Sequence, residues 1–235
     1  MPKTFTFNSK KSSDLGLIVE KATINKTPAR PYELQKIPGR AGMLIVNSSI
    51  DELENVEITY TVGCKDISAN RDAIAECLFG ASSYAKLVDS SETDCYRLAV
   101  CTSGQDWDEQ MLNFGTAKLV FSCKPFRFLN SGDVKTTLTT AGQITNPTAY
   151  SSLPYIKITG SGNINLFIAG KSYAFVNVGS YIECDSDLQM VYTGASGKSD
   201  RANFDVFPEL VPGDNTVSWT GTVSKVEIIP HWRRL

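Results

Sequence analysis

The sequence predicts a mainly β protein of two domains, with a single helix in the first. Three observations carry that expectation. Apolar and polar residues alternate in short runs along most of the chain, as half-buried strands require. A helical period occurs once, within SANRDAIAECLFG at 68–80. Beyond Leu129 the texture turns rich in Thr, Ser, Gly and Pro. From Pro154 onward, short strands recur with turn signals at roughly 8-to-12-residue spacing, the pattern of a jelly-roll sandwich. At 235 residues the chain is comfortable for two domains. It can bury roughly 70% of its unfolded surface, so it needs no disulfide or metal to fold.

In the first domain, LIVEKATI (17–24) reads as an early strand. TPARPYELQKIPGRAG (27–42) holds three prolines and two glycines, which exclude a central strand or helix. It reads as an extended arm or as a hairpin with a glycine turn. MLIVNS (43–48) follows as a strand. In NVEITYTVGC (55–64), Val56, Ile58, Tyr60 and Val62 alternate with polar residues. The helix is expected from about Asn70 to Phe79, capped by Ser68 or Asn70 and stopped by Gly80. Ile74, Cys77 and Leu78, with Ala73 beside them, share its apolar face. YAKLVD (84–89) and CYRLAVC (95–101) form a hairpin across SSET, and GQDWDEQM (104–111) is a polar connection.

NFGTAKLVFSCKPFRF (113–128) is a strong strand. Pro125 removes a ladder donor, so the strand is expected to stop or bulge there and hand over to a linker. Phe126 and Phe128 have the spacing to face one hydrophobic layer, with Lys124 and Arg127 outward. Pro125, Phe126 and Phe128 therefore mark the domain junction, and the domains are read as 1–129 and 130–235. In the second, YIKITG, INLFIAG, SYAFVNV, YIECDS, LQMVYT, ANFDVF, NTVSWTG and VSKVEIIPHW read as eight short strands.

Composition narrows the function. Hydrophobic residues are 42% and charged residues 20%, a globular balance. The net charge of −2 argues against a dedicated nucleic-acid binder. MPKTFTFNSKKSSDLG lacks the apolar core of a signal peptide, and no apolar run approaches the roughly 20 residues that span a bilayer. The chain reads as soluble and unsecreted. Its six cysteines, at 64, 77, 95, 101, 123 and 184, form no CxxC pair and read as free, mostly buried thiols. No metal and no cofactor is expected.

Catalytic chemistry is equally unsupported. Ser-His-Asp or Cys-His catalysis needs a histidine, and only His231 exists, in IIPHWRRL. No GxGxxG or GxxxxGK[ST] loop occurs. Asp185 and Asp187, in ECDSDLQ, lack the remaining oxygen ligands of a calcium loop and read as a hairpin turn. Asn25-Lys-Thr and Asn47-Ser-Ser match glycan acceptors, which carry no meaning without secretion. The residues favour a binding or assembly role over an enzyme.

Four stretches carry a resemblance. FSCKPFRF (121–128), FPELVPGDNTVSWTG (207–221) and VEIIPHWRRL (226–235), with the earlier IPGRAG (37–42), resemble the distal tail protein family of long, flexible-tailed bacteriophages. PYIKITGSGNINLFIAG and YIECDSDLQMVY resemble its second domain. The similarity runs the length of the chain in the right order. It implies an N-terminal tail-tube-like β-sandwich with one α-helix and a long hairpin, and a C-terminal galectin-like β-sandwich. It further implies a structural part of a tail tip or baseplate, in a virion, a prophage or a tail-like bacteriocin, assembled in the bacterial cytoplasm. Six copies would close into a ring, in some settings stacked as a dodecamer. The ring would join the tail-tube protein to tail-tip and receptor-binding proteins, and DNA would pass through its lumen without specific binding. Mild acidity suits a conduit, since a strongly basic lumen would retain the genome. Pro38 and Gly39 make a bend, Arg40 is left exposed and Gly42 follows. These four are the candidate subunit interface, on an arm that reaches a neighbour or on a hairpin folded against its own domain. In VPGDNTVSW, Gly213 supplies positive φ, and Val217 and Trp219 fill the sandwich.

Two rivals stand beside this reading. A stand-alone carbohydrate-binding module would need exposed aromatics, for which Trp219 and Trp232 are the candidates. A tail-associated hydrolase has no visible residues. The chain carries no large insertion in its second half, so it has no added saccharide module.

Overall fold

The computed structural model describes residues 3–47, 53–104, 107–111 and 114–235. Ser48, Asn113 and part of the Asn47 acceptor motif lie outside the described residues. The chain is mainly β and divides into two compact units, Met1–Arg127 with Leu235, and Phe128–Arg234.

In the first unit, strands β1 (Phe5–Phe7), β2 (Lys10–Lys11), β3 (Leu17–Thr23), β4 (Glu33–Lys36), β5 (Met43–Asn47) and β6 (Val56–Lys65) precede helix α1 (Ile67–Phe79). Strands β7 (Ala85–Asp89), β8 (Cys95–Cys101), β9 (Asp108–Met111) and β10 (Phe114–Leu129) follow it. The sheet order is β2-β1-β7-β8-β10-β6-β3, and β9 pairs with the start of β10. Within it β6 and β10 run antiparallel in unbroken register, from Phe114 opposite Lys65 to Cys123 opposite Val56. Period-two alternation sends Val56, Ile58, Tyr60, Val62 and Cys64 inward from β6. Ala117, Leu119, Phe121 and Cys123 join them from β10. Phe5 and Phe7 of β1 complete the core, with ring centroids 4.6 Å from Tyr60 and 5.0 Å from Phe121 respectively. Each such aromatic pair adds about 0.5–1.5 kcal/mol beyond the area it buries.

Helix α1 covers that core with Ile67, Ile74, Cys77 and Leu78. It begins three residues before the expected Asn70, because Ile67 is only 6% exposed and its burial draws the first turn into the helix. Neither expected cap acts as one. Asp66 precedes the helix in the left-handed region at φ 54, and no side chain caps the first turn. Asn70 instead donates its amide to the Lys65 and Asp66 carbonyls at 3.1 and 3.2 Å. Ala73 is exposed rather than on the apolar face. Gly80 ends the helix as expected, but at an ordinary φ of −69.

Pro125 does not end its strand. β10 runs on to Leu129. The β6 ladder has already stopped at Cys123, so the missing proline N–H removes no bond from it. What changes at Pro125 is phase. Inward positions fall every second residue up to Cys123, and the next buried residue is Phe126, three further on. Arg127 is consequently half-buried rather than outward, and its Nη1 donates to Glu92 Oε1 at 2.6 Å.

No linker follows. In the second unit, strands β11 (Thr136–Leu138) and β12 (Gly142–Asn146) are built from the Thr/Ser/Gly-rich stretch read as one. β13 (Tyr155–Ile168), β14 (Lys171–Val178), β15 (Tyr181–Asp185), β16 (Met190–Thr193), β17 (Ser196–Gly197), β18 (Ala202–Asn203) and β19 (Gly213–Ile229) complete it. Two pairs of predicted short strands are each one long strand, β13 and β19. These pair with each other, with register shifts between Thr159 and Gly160 and between Ser161 and Asn165. The shifts divide the pair into halves with different neighbours. The first half of β13 pairs with β15 and its second half with β14. β19 likewise serves β12 and then β11. The two resulting layers enclose Ile156, Ile158, Ile164, Leu166, Phe175, Val217, Val226 and Ile228.

Glycines sit where the shift occurs. A Cβ on Gly160 would lie 2.3 Å from the Thr222 carbonyl oxygen, and one on Gly221, at φ +100, 2.4 Å from that of Asn163. On the outer side, Glu227, Lys157, Glu183 and Tyr192 stand in one row across β19, β13, β15 and β16. Glu183 is 9% exposed and Glu227 7%. Burial raises the Glu183 carboxyl, but the Tyr155 hydroxyl at 2.6 Å, the Gly194 N–H at 3.0 Å and Lys157 outweigh it and hold it below the usual range. Hydrogen bonds from Lys135 at 2.6 Å and Lys225 at 3.1 Å do the same for Glu227.

Two predictions follow from these contacts. Gly160→Ala should destabilise the second unit by roughly 2–4 kcal/mol, because backbone rather than a side chain occupies the space; denaturant unfolding of the variant reads it. Both carboxylates have folded values below their unfolded ones, so their contribution is present above the ordinary carboxylate range and is lost as pH falls through the lower folded values. The variant Glu227→Gln should cost under about 1 kcal/mol at neutral pH, since its lysine partners are half-exposed. It should then lose less stability than the native chain between about pH 5 and pH 3 in melts at each pH.

Candidate functional site

The feature that packing within the chain does not account for is the hairpin of β4 and β5. It forms a two-stranded sheet of its own, outside the order of the main sheet. Leu34 faces Ile45, Gln35 faces Leu44 and Lys36 faces Met43. All residues from 31 to 46 are exposed except the half-buried Ile37. Tyr32, Leu34, Met43, Ile45 and Val46 are at least half exposed, and Leu44 is 40% exposed. β5 presents four successive apolar residues, so both faces of the hairpin carry aliphatic surface. Isolated apolar residues on a surface are ordinary, whereas a contiguous run on an unpacked hairpin marks a contact site. A lone two-stranded hairpin is also only marginally stable in water.

IPGRAG is the tip of this hairpin. The Arg40 N–H donates to the Ile37 carbonyl at 3.3 Å. Pro38 and Gly39 occupy the centre of that turn, and Gly39 has φ 79, the positive value a type II turn demands there. Gly42 also has positive φ, at 84. A Cβ at either glycine would meet nothing within 4 Å, so conformation rather than space selects glycine. Pro38, Gly39, Arg40 and Gly42 are thus brought together at one exposed tip. Of the alternatives open in the sequence, the residues form a hairpin, and it is not laid on the main sheet.

The junction residues are placed differently. Phe126 is 6% exposed in the first unit, while Phe128 is half-buried in the second.

Among the described residues, no group of three or more His, Cys, Asp or Glu is placed to hold a metal. All six cysteines are free, and only Cys101 is not fully buried. Burial pushes the Cys123 and Cys184 thiols up to about 12, where they are protonated and poor nucleophiles. Asp185 closes its hairpin turn by accepting from the Asp187 and Leu188 N–H groups at 3.1 and 3.0 Å. Trp232 is 6% exposed, and Trp219 packs partly buried against the second core. Trp232 therefore offers no open aromatic face for a saccharide. Gly213 has the positive φ expected of it, at 83. The turn beside it is locked by Asn215, whose buried side chain accepts from Val211 N–H at 2.9 Å and donates to the Val211 and Gly213 carbonyls. Among the described residues, no helix is long and apolar enough to cross a membrane.

No protein-family model and no curated protein matches the sequence. Solved structures do match. The crystal structure of SPP1 Dit (gp 19.1), described as a paradigm of the hub adsorption apparatus in phages infecting Gram-positive bacteria, aligns over 100% of both chains at 13% identity and a TM-score of 0.75. A chain of the phage P2 baseplate, in its activated conformation with Ca, aligns over 100% of this chain and 99% of its own at 8% identity and a TM-score of 0.56. At such identities the likeness is one of fold, and over its whole length the chain is Dit-like in fold.

Proposed function

We propose that the protein is a structural component of a phage tail tip or baseplate, a hub that forms a ring of six copies. The observation that carries this reading is the β4–β5 hairpin, whose aliphatic faces lie in water within a fold shared along its length with a tail hub protein. A closed ring needs a heterologous contact, in which one surface of a copy meets a different surface of the next. A projecting hairpin is suited to be one of those two surfaces. Its apolar faces would supply the buried area, and Arg40 at the tip would set orientation.

In this reading the first unit is the ring-forming domain and the second a sandwich on the ring's periphery. The ring would sit between the tail-tube protein and the tail-tip and receptor-binding proteins, and DNA would pass through it unread. The net charge of −2 favours passage over retention. The protein would be assembled in the bacterial cytoplasm and reside in the virion tail. No catalytic role is assigned. The carbohydrate-module alternative loses one of its two tryptophans, Trp232, to packing.

Light scattering after size exclusion, with negative-stain images of the peak, tests the ring. The expected result is a mass near six or twelve chains and annular particles. A monomer at every concentration, with and without neighbouring tail proteins, overturns it. Replacing Leu34 and Ile45 by Asp should leave the melting of the chain within roughly 1 kcal/mol, because both side chains are exposed, yet should abolish rings. Arg40→Glu should weaken closure several-fold, by about 1 kcal/mol per contact; equal assembly by the variant in the same scattering experiment removes Arg40 from the interface.

A further inference from the structure

The β4–β5 hairpin supplies one half of a contact, and the first unit carries a second surface with the complementary properties. That surface is the outer side of α1. A helix that packs on one side is expected to be polar on the other. The buried residues of α1 are Ile67, Ile74, Cys77 and Leu78. Its outer side nevertheless ends in Phe79, which is 49% exposed. Ala69, Ala73, Glu76 and Phe79 are all exposed and follow at spacings of four, three and three, so they lie in one line along the helix. Beside the end of that line is an open groove of about 420 Å³, lined by Asn8, Ser9 and residues 80–86. Tyr84, within it, is 39% exposed. Apart from Ile18 and the hairpin region itself, Phe79 and Tyr84 are the large apolar side chains that the described part of the first unit leaves exposed.

Charge pairs the two surfaces. Residues 30–47 hold Arg30, Lys36 and Arg40 against Glu33. Residues 66–79 hold Asp66, Asp72 and Glu76 against Arg71. Glu76 meets Lys10 at 3.2 Å, with its side chain 75% exposed. Asp66 and Asp72 on one surface, and Lys36 and Arg40 on the other, have no ion-pair partner among the described residues. Lys86, the cation of the groove, is already engaged over the Tyr96 ring at 4.1 Å. Exposed ion pairs add little strength, so these charges would select the face and its orientation, and the apolar side chains would supply the buried area.

We propose that the outer side of α1, with the groove at its end, is the dock for the β4–β5 hairpin of a second copy of this chain. Both surfaces are exposed in the single chain, so their contact is one between copies. It is heterologous: a pair of copies joined this way still has one hairpin and one helix free, and only a closed ring uses all of them. Phe79 would enter the aliphatic face of the hairpin, with Asp72 against its cations. This inference rests on the ring reading and names the second surface that reading needs.

Photo-crosslinking of the full chain tests it. p-Benzoylphenylalanine replaces Met43 in one variant and Tyr32 in another; both side chains are exposed, and the site that still assembles is read. Light and heavy-isotope chains are mixed, assembled and irradiated, and the linked peptides are identified by mass spectrometry. The expected links join the hairpin of one chain to residues 66–86 of another. Phe79→Ser should weaken assembly about tenfold, the effect of losing one interface anchor, with the melting point of the chain little changed. Asp72→Lys, at a fully exposed position, should weaken it several-fold. Rings whose links fall outside residues 66–86, links confined to single chains, or equal assembly by both variants overturn this dock and leave the ring standing. A monomer under every condition overturns the ring and the dock together.

Discussion

The register between β6 and β10 is the constraint on which the first unit rests. Ten successive pairs hold without a slip from Phe114 to Cys123. A slip of one residue would turn Ile58, Tyr60, Leu119 and Phe121 out to solvent together. Because it does not slip, Phe5 and Phe7 find a fixed aromatic floor, and α1 finds a flat apolar surface to cover. The second unit obeys the opposite rule. There the β13–β19 pair must break register, since the break lets two strands serve two layers. Glycines 160 and 221 occur at the break because backbone atoms fill the space where a Cβ would stand.

Most of the fold was legible in the sequence, for a physical reason. Strands with one buried face carry a period of two, and β3, β6, β8 and β14 were each read within two residues of their observed bounds. The helix was found but its start was not. A single buried isoleucine, Ile67, outweighed the local preference of Ser68 and Asn70 for a cap. Pro125 was read as a stop or a bulge; the strand does not stop but its inward phase slips, because a proline's effect depends on whether its missing N–H has a partner in the ladder, and sequence does not show where a ladder stops. The Thr/Ser/Gly-rich stretch after Leu129 looked like a linker because β11 and β12 are short strands on β19, with few apolar positions to betray them.

The candidate site was half legible. Pro-Gly within IPGRAG announced a turn, and the turn is there. What made the hairpin notable was the exposure of Met43 to Val46, and that was invisible. MLIV reads like any buried strand, and only the absence of packing around it distinguishes a contact surface from a core.

The aliphatic character of the hairpin has a thermal consequence. Tyr32, Leu34, Met43, Leu44, Ile45 and Val46 would make a contact with almost no ion pairs or buried polar bonds to give it favourable enthalpy. Association driven by such surface is entropic near room temperature and carries a large negative heat-capacity change. It therefore weakens on cooling. Oligomers held by this element would be most persistent when warm and would loosen in the cold, so a preparation handled on ice would show the smallest species the protein can form.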